Sequence, residues 1–204
     1  MAYSSERETV IPIHRPSSNE KLFFLISGMI SSVPLTLFIS QFTDSLAISA
    51  LSPTDALLVS SVIVAPFLEE FAKAFPLFYR HGESQRSIFT LGLLVGLGFG
   101  IIEFILYVFL LGVPLIFRIA GVLFHAASTS IIAYGIATRH TLMFYLIAVG
   151  LHFSNNLLAF AESPTDSAVF FGWGSLGVYL IMFTTLSLSW LLYRRTTEKI
   201  IPYK

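Results

Sequence analysis

Six long apolar runs constrain this chain more than any other feature, because each is long enough to cross a lipid bilayer. A membrane-crossing helix needs about 20 mostly apolar residues. Backbone polar groups in hydrocarbon must be satisfied within the protein, so we expect helices in these runs and not strands. The sequence predicts an all-α, polytopic membrane bundle with about six transmembrane helices, over residues 21–42, 55–79, 87–111, 114–138, 141–161 and 167–193.

The composition favours the lipid bilayer as the environment of this bundle. Of its 204 residues, 55% are hydrophobic and 12% are charged, whereas about 25% of a soluble domain is charged. The formal net charge is zero, which disfavours nucleic acid as a partner. The absence of cysteine excludes disulfides, thiolate metal sites and a cysteine nucleophile.

The basic residues lie in alternate connections between the apolar runs. Lys and Arg precede the first run, separate the second from the third and the fourth from the fifth, and follow the sixth. Because cytoplasmic segments are enriched in Lys and Arg, we expect a multi-pass protein of the cell membrane with both termini in the cytoplasm. The predicted organisation is a polar N-terminal tail (1–20), a single transmembrane helical domain (21–195) and a short C-terminal tail (196–204).

Ionisable and amide side chains interrupt four consecutive apolar runs. A charged residue at a helix centre costs roughly 2.5–3.5 kcal/mol on insertion scales, so such residues mark function by default. With a rise of about 1.5 Å per helical residue, all of these side chains fall within a similar depth of the bilayer. We therefore predict one shared polar cavity, built from Glu69, Glu70, Lys73, Glu103, Arg118, His125, His152, Asn155 and Asn156.

Helical spacing indicates which of these groups share a face. Arg118, His125 and Thr129 lie on one face of the fourth run, and His152 and Asn156 are four residues apart on the fifth.

The third and second runs also contain glycine and proline residues that affect the backbone near their charged side chains. Gly92, Gly96 and Gly100 form a ridge of small residues that favours close helix packing, so Glu103 is expected to point into the bundle. Pro66 lies one turn before the paired glutamates and is expected to loosen the helix there.

Each polar group has a structural interpretation beside a functional one. Lys73 lies within one helical turn of Glu69 and Glu70, so an ion pair could lock the helix, whereas a buried carboxylate could act as a general base. His125 and His152 are either hydrogen-bonded core histidines or parts of one site that binds metal, stabilises an oxyanion or shuttles protons.

The remaining polar groups leave similar alternatives. Asn156 either bonds a neighbouring helix or donates to an oxyanion, and Asn155 is expected to be structural. Glu103 either bonds a neighbouring helix or belongs to the site, and Arg118 either belongs to the site or extends to the outer interface. A His, His and Glu set is a catalytic zinc set, which here would be Glu70, His125 and His152, although no His-Glu-x-x-His pair supports it.

Four short motifs occur in an order that resembles the PrsW family of membrane-embedded proteases. Residues 66–73, Pro-Phe-Leu-Glu-Glu-Phe-Ala-Lys, resemble its E-E-x-x-K motif. Residues 96–103 resemble its Gly-x-Gly-Phe-x-x-x-Glu motif, with Phe104 where the family usually has Asn. Arg118, His125 and Thr129 are similar to the third motif, and residues 152–156 fit the closing H-x-x-x-N.

The resemblance implies a fold and an activity. The fold would be that of the CAAX-prenyl endopeptidase superfamily, which also includes abortive-infection and self-immunity proteins and resembles the APH-1 subunit of gamma-secretase. The activity would be hydrolysis of a peptide bond in a membrane-anchored protein, such as an anti-sigma factor.

The resemblance also implies roles for the site residues. One of Glu69 and Glu70 would activate water together with His125, and His152 with Asn156 would hold the oxyanion. No cofactor would be required, with Zn²⁺ as the alternative. The supporting residues would be Lys73, Glu103, Arg118 and Thr129.

Two other functions compete with hydrolysis. A non-catalytic scaffold or immunity protein of the same fold would use the polar groups for assembly. A proton-coupled transporter would use them as an ion path, although the sequence has no internal repeat of the kind many transporters contain.

Overall fold

The computed structural model describes residues 14–79, 84–161 and 173–198, which are helical and contain no β-strand. The predicted all-α class is therefore confirmed. The α-helices are α1 (Ser18–Ser27), α2 (Val33–Ala50), α3 (Pro53–Leu58), α4 (Ala65–Ala74), α5 (Gln85–Ile105), α6 (Leu115–Thr138), α7 (Thr141–Ala161) and α8 (Trp173–Arg195). Short π-helical segments follow α1, α3 and α5, at Gly28–Ser32, Val59–Val64 and Leu106–Leu110, and a 3-10 turn at Phe75–Tyr79 follows α4.

Five helical segments in the described part of the chain are long and apolar enough to cross a membrane. They are Ser18–Ala50, Gln85–Leu110, Arg118–Thr138, Thr141–Ala161 and Leu176–Arg195. The second predicted run, which carries the paired glutamates, is a sixth helical stretch over residues 53–79. Residues 1–13 of the predicted N-terminal tail, the first six residues of the predicted sixth span and residues 199–204 lie outside the described residues.

The first helix begins at Ser18, three residues before the predicted start of the first span, because its N-terminus is capped. The Ser17 hydroxyl accepts a hydrogen bond from the backbone N–H of Glu20 at 3.3 Å. The Glu20 carboxylate in turn accepts from the backbone N–H of Ser17 at 2.6 Å. This reciprocal pair satisfies two N–H groups at the helix end and extends the helix into the polar flank.

The helical stretch over residues 53–79 is irregular just before Pro66, as the sequence predicts. The backbone N–H of Ala65 bonds the carbonyl of Ser60, five residues earlier, at the end of the π-helical segment. In that register the carbonyl of Ser61 would require a donor at position 66, but proline has no N–H. The irregular segment therefore leaves the carbonyl of Ser61 without a donor from its own helix, about two turns before Glu69.

Helix α5 packs between α1 and α6. A Cβ added to Gly92 or Gly96 would collide with Ala133 or with the carbonyl of His125, both on α6. A Cβ added to Gly98 would collide with the carbonyl of Leu25 on α1. The predicted small-residue ridge is confirmed, and Gly98 forms a second close contact on the opposite face of α5.

The start of α5 and the end of α8 are tied together by a hydrogen-bonded clasp of residues 84–86 and 196–198. The Arg86 guanidinium donates to the carbonyl of Thr196 at 3.0 Å. The backbone N–H of Thr197 donates to the side chain of Gln85 at 3.2 Å. The clasp joins two helix ends that are about 110 residues apart in the sequence.

Candidate active site

Helices α4, α5, α6 and α7 bring the predicted polar residues together in one connected group. We call this group the polar centre, and it comprises Glu69, Glu70, Lys73, Glu103, Arg118, His125 and His152. Each member lies within 4.0 Å of at least one other member. The predicted shared cavity is thus a chain of contacts across four helices, and not a set of separate local pairs.

The ion pair between Glu70 and Lys73 forms the middle of the polar centre. The Lys73 ammonium donates to Glu70 Oε1 at 2.6 Å, and both side chains are 0% exposed. The two residues are three apart on α4, which puts them on the same face of the helix. A fully buried pair is tolerated only when its remaining hydrogen-bonding groups also find partners.

Lys73 continues the network toward α6 and α5. Its ammonium lies 2.9 Å from Nδ1 of His125, and the other ring nitrogen, Nε2, lies 2.6 Å from the Glu103 carboxylate. The Arg118 guanidinium lies 3.1 Å from the same Glu103 oxygen and 3.8 Å from the centre of the Tyr107 ring. Arg118 therefore belongs to the polar centre, since it pairs with Glu103 one turn from the end of α5.

Glu70 also connects the network to α7. His152 Nδ1 lies 2.8 Å from Glu70 Oε1, and the Ser128 hydroxyl donates to the same oxygen at 3.2 Å. One carboxylate oxygen of Glu70 thus has three hydrogen-bonding neighbours, with Lys73 as the third. Glu70 is held rigidly from three helices.

Glu69 differs from its neighbour in being partly exposed. Its side chain is 14% exposed, and its Oε2 lies 3.6 Å from His152 Nε2, which is too long for a direct hydrogen bond. Among the described residues, this buried oxygen has no hydrogen-bond partner. Glu70 also has a buried oxygen without a hydrogen-bond partner among the described residues, Oε2, but its side chain is fully buried and its other oxygen is bound by three neighbours. The sequence left open which glutamate carries the chemistry, and the surroundings of the two now differ clearly.

Aromatic rings enclose the two histidines. Phe124 contacts both imidazoles edge-on, with centroid distances of 5.7 Å to His125 and 5.4 Å to His152. Phe99 lies 5.0 Å from the His125 ring and also 5.0 Å from the Lys73 ammonium. These rings shield the polar centre from lipid and water, and a low local dielectric strengthens each charged contact.

Asn156 forms the helix–helix hydrogen bond that was one of its two predicted roles. Its amide donates at 3.0 Å to the carbonyl of Ser61, the acceptor left free before Pro66. Asn155 donates to the Asn156 side-chain oxygen at 3.3 Å, which fits its predicted structural role. The oxyanion role of Asn156 stays a prediction.

Thr129 and Ser128 differ from what the sequence alone suggested. Thr129 donates to the backbone carbonyl of His125, within its own helix, at 2.9 Å. Ser128, for which no role was predicted, contacts both members of the buried ion pair, Glu70 and Lys73. The sequence feature that could have identified Ser128 is its position three residues after His125, on the same face of α6.

The comparison with protein families decides the identity of the chain. A family model described as PrsW family intramembrane metalloprotease matches residues 20–191. The chain belongs to the PrsW family. It is accordingly a membrane-embedded protease, located in a membrane, as the ordered motifs predicted.

Two further comparisons return nothing. No curated protein matches the chain. No solved structure matches it either. The membership in the PrsW family therefore rests on the family model together with the four motifs and the polar centre they form.

The PrsW family description implies a metal ion, and three side chains have suitable ligand atoms. Atoms of Glu69, Glu103 and His125 lie within 4.8 Å of one another, and two carboxylates with one imidazole suit Zn²⁺ by type. This set differs from the sequence alternative of Glu70, His125 and His152, in which Glu70 is already bound to Lys73.

The hydrogen bonds of these side chains do not suit a bound ion in the arrangement described. The His125 ring is engaged at both nitrogens, by Lys73 and by Glu103, and the same Glu103 oxygen is shared with Arg118. Glu69 Oε2, in contrast, has no hydrogen-bond partner among the described residues. A metal ion would have to displace the contact between His125 and Glu103, so the side chains as they are arranged do not fit one.

Proposed function

We propose that this PrsW-family protein is an intramembrane endopeptidase of the cell membrane that cleaves a membrane-anchored protein by a Glu69-activated water. The observation that carries the proposal is the unpartnered Oε2 of Glu69, which belongs to a partly exposed side chain and lies 3.6 Å from His152 Nε2, whereas Glu70 is fully buried and paired with Lys73. A buried acceptor without a partner costs free energy unless a ligand or water satisfies it. Buried polar groups without a partner are often found where a catalytic group binds a substrate or water.

The hydrolytic step uses Glu69 as both base and acid. Its carboxylate takes a proton from water as the water oxygen adds to the peptide carbonyl carbon. The same proton then passes to the amide nitrogen as the C–N bond breaks, which releases a carboxylic acid and an amine. General acid–base catalysis of this kind contributes typically about 10²–10⁴-fold to a rate.

The other polar groups serve this step in different ways. Glu70 and Lys73 are positioning residues, because they contact both histidines and neither is exposed. Asn156 has a second amide N–H beyond the one that bonds Ser61, and this hydrogen is the proposed oxyanion donor. An anti-sigma factor as the substrate stays a prediction of the family resemblance.

The substitution Glu69→Gln tests the proposal in membranes. Wild-type protein and the variant are expressed in the same host, and newly formed protein N-termini in the membrane fraction are mapped by mass spectrometry. We expect cleavage sites present with the wild type to fall at least about 100-fold with Glu69→Gln, which keeps the side-chain shape and removes the base.

Asp44→Asn is the matched control, because it removes the same charge from α2, outside the polar centre. It should leave the cleavage pattern unchanged. Cleavage by Glu69→Gln within a few-fold of the wild type would remove the basis for Glu69 as the base.

A further inference from the structure

The two histidines of the polar centre contact opposite members of one ion pair. His125 presents Nδ1 to the Lys73 ammonium at 2.9 Å. His152 presents the equivalent atom, Nδ1, to the Glu70 carboxylate at 2.8 Å. Lys73 and Glu70 themselves are paired at 2.6 Å without exposure to solvent.

These contacts require opposite hydrogen positions on the two rings. An ammonium has only donors, so the Nδ1 of His125 must accept, and its ring proton lies on Nε2, directed at Glu103. A carboxylate has only acceptors, so the Nδ1 of His152 must donate, and its Nε2 has a free lone pair. The bond made by one ring nitrogen sets the chemistry of the other.

We propose that the ion pair of Glu70 and Lys73 fixes His125 and His152 in opposite tautomers, and that His152 Nε2 is the second acceptor for the water held by Glu69. This inference rests on the proposed function. His152 Nε2 and Glu69 Oε2 are two acceptors 3.6 Å apart, so one water molecule can donate to both. His125 instead is a donor held against Glu103 and a positioning residue.

The proposal exchanges the roles that the family resemblance implies for the histidines. The resemblance puts His125 with the water and His152 with the oxyanion. The hydrogen bonds put His152 beside the free oxygen of Glu69, whereas both ring nitrogens of His125 are taken by Lys73 and Glu103.

Nuclear magnetic resonance of the full chain tests the tautomers without any assay of activity. Protein labelled with ¹⁵N at its five histidines is reconstituted in lipid nanodiscs, and His125→Gln and His152→Asn assign the two signals by their loss. We expect a protonated Nε2 and an unprotonated Nδ1 at His125, and the reverse at His152. The same tautomer at both rings, or the two exchanged, would overturn the proposal.

Substitution of Lys73 tests whether the ion pair sets these tautomers. Lys73→Arg keeps a cationic donor and should retain both tautomers. Lys73→Met removes the donor and should shift the His125 signal toward a mixture of tautomers. If Lys73→Met does not fold, the comparison of the wild type with Lys73→Arg still tests the proposal. A changed His125 tautomer in Lys73→Arg would contradict the role of the cationic donor.

A pair of conservative variants tests the roles in catalysis. His152→Asn keeps a donor near Nδ1 but removes Nε2, whereas His125→Gln keeps a donor near Nε2 but removes Nδ1. With a quenched fluorescent single-span peptide in liposomes, we expect His152→Asn to lower kcat at least about 100-fold with KM nearly unchanged. His125→Gln should lower kcat by about tenfold or less, and the opposite order would overturn the assignment.

The two sets of measurements separate this inference from the proposed function. If Glu69→Gln remains active while the tautomers are as expected, the proposed base is wrong and the tautomer assignment stands. If Glu69→Gln is inactive but the tautomers are not as expected, the endopeptidase stands and the exchanged roles are wrong.

Discussion

Glu69 and Glu70 are adjacent in the chain, and about 100° of helix rotation separates their side chains. That rotation directs Glu70 into the contact between α4, α6 and α7, where Lys73, Ser128 and His152 meet one of its oxygens. Glu69 is directed along the edge of the same contact, with an oxygen left unpaired. Two identical side chains thus acquire different surroundings from their positions alone, and the different tasks proposed for them follow from those surroundings.

Removal of Glu70 is expected to affect stability far more than removal of Glu69. Glu70→Gln leaves the Lys73 ammonium buried without a counter-charge, a change that costs about 3–5 kcal/mol in comparable buried pairs. Thermal unfolding in detergent, followed by circular dichroism, measures this effect. The exposed pair of Arg86 and Glu198 provides the control, since Glu198→Gln should cost about 1 kcal/mol or less.

The double variant Glu70→Gln with Lys73→Met isolates the interaction between the two charges. Because the uncompensated charge disappears, we expect the double variant to be less destabilised than the sum of the single variants. Additive effects would mean that the two side chains do not depend on each other.

At this scale the sequence identified the members of the polar centre but not their bonds. Spacing showed that Lys73 reaches either glutamate within one helical turn. The contacts of Lys73 with His125 and of Glu70 with His152 depend on how the helices pack, which no short motif encodes. Ser128 was missed for the same reason, since a serine beside a histidine has no distinctive local signal.

Two backbone features position the helices around this site. They are the ridge of glycines on α5 and the irregular turn before Pro66. The ridge lets α6 approach α5 so closely that the His125 carbonyl lies against Gly96. The irregular turn gives Asn156 an acceptor on the neighbouring stretch. Both features were predicted in outline from the sequence, because glycine and proline act through the backbone.

Gly96→Ala is expected to disturb the site from within α5. The added methyl would collide with the His125 carbonyl and crowd the Thr129 hydroxyl, so α6 must shift and the contact between His125 and Glu103 lengthens. We expect a loss of thermal stability together with a loss of cleavage.

Gly121→Ala is the matched control for this substitution. Gly121 lies on α6, the helix that packs against Gly96, but a Cβ added at Gly121 would meet no other atom. It should be neutral or stabilise the helix by up to about 1 kcal/mol. Equal effects of the two substitutions would show that the close contact of α5 with α6 is not what places His125.

Asn156 and Pro66 should be coupled through the carbonyl of Ser61. Asn156→Ala leaves that carbonyl unpaired, at a cost of about 1–3 kcal/mol for a buried group. In a Pro66→Ala background the new N–H at position 66 can bond Ser61 instead, so the same substitution should cost less. Denaturation of the four variants measures this coupling, and equal costs in both backgrounds would count against it.

The six helical stretches of the bundle were predicted from the lengths of the apolar runs. The residues at which the helices begin and end were predicted less well. The first helix extends from Ser18 to Ala50, well beyond the predicted 21–42, since capping at one end and α2 at the other continue it into polar sequence. A loosened helix was predicted only near Pro66. The π-helical segment at Gly28–Ser32, which likewise ends two residues before a proline, Pro34, was not predicted, and neither was the one at Leu106–Leu110.

The orientation of the bundle stays a prediction that the lack of cysteine makes simple to test. Single cysteines at Ser17 and Arg139 should react only with a reagent on the cytoplasmic side, and cysteines at Ser49 and Gly112 only from the outside. Labelling of intact cells and of opened membranes with a membrane-impermeant maleimide distinguishes the sides. Reaction of positions 17 and 139 from opposite sides would refute an even number of crossings between them.

Formal charges do not cancel within the polar centre. Three carboxylates, those of Glu69, Glu70 and Glu103, face two permanent cations, Lys73 and Arg118. Glu70 pairs with Lys73 and Glu103 pairs with Arg118, so among the described residues Glu69 is the carboxylate without a permanent cation beside it. A small-molecule inhibitor designed for this enzyme should therefore direct a protonated amine or amidine at that carboxylate, whereas carboxylate or phosphonate warheads would be repelled.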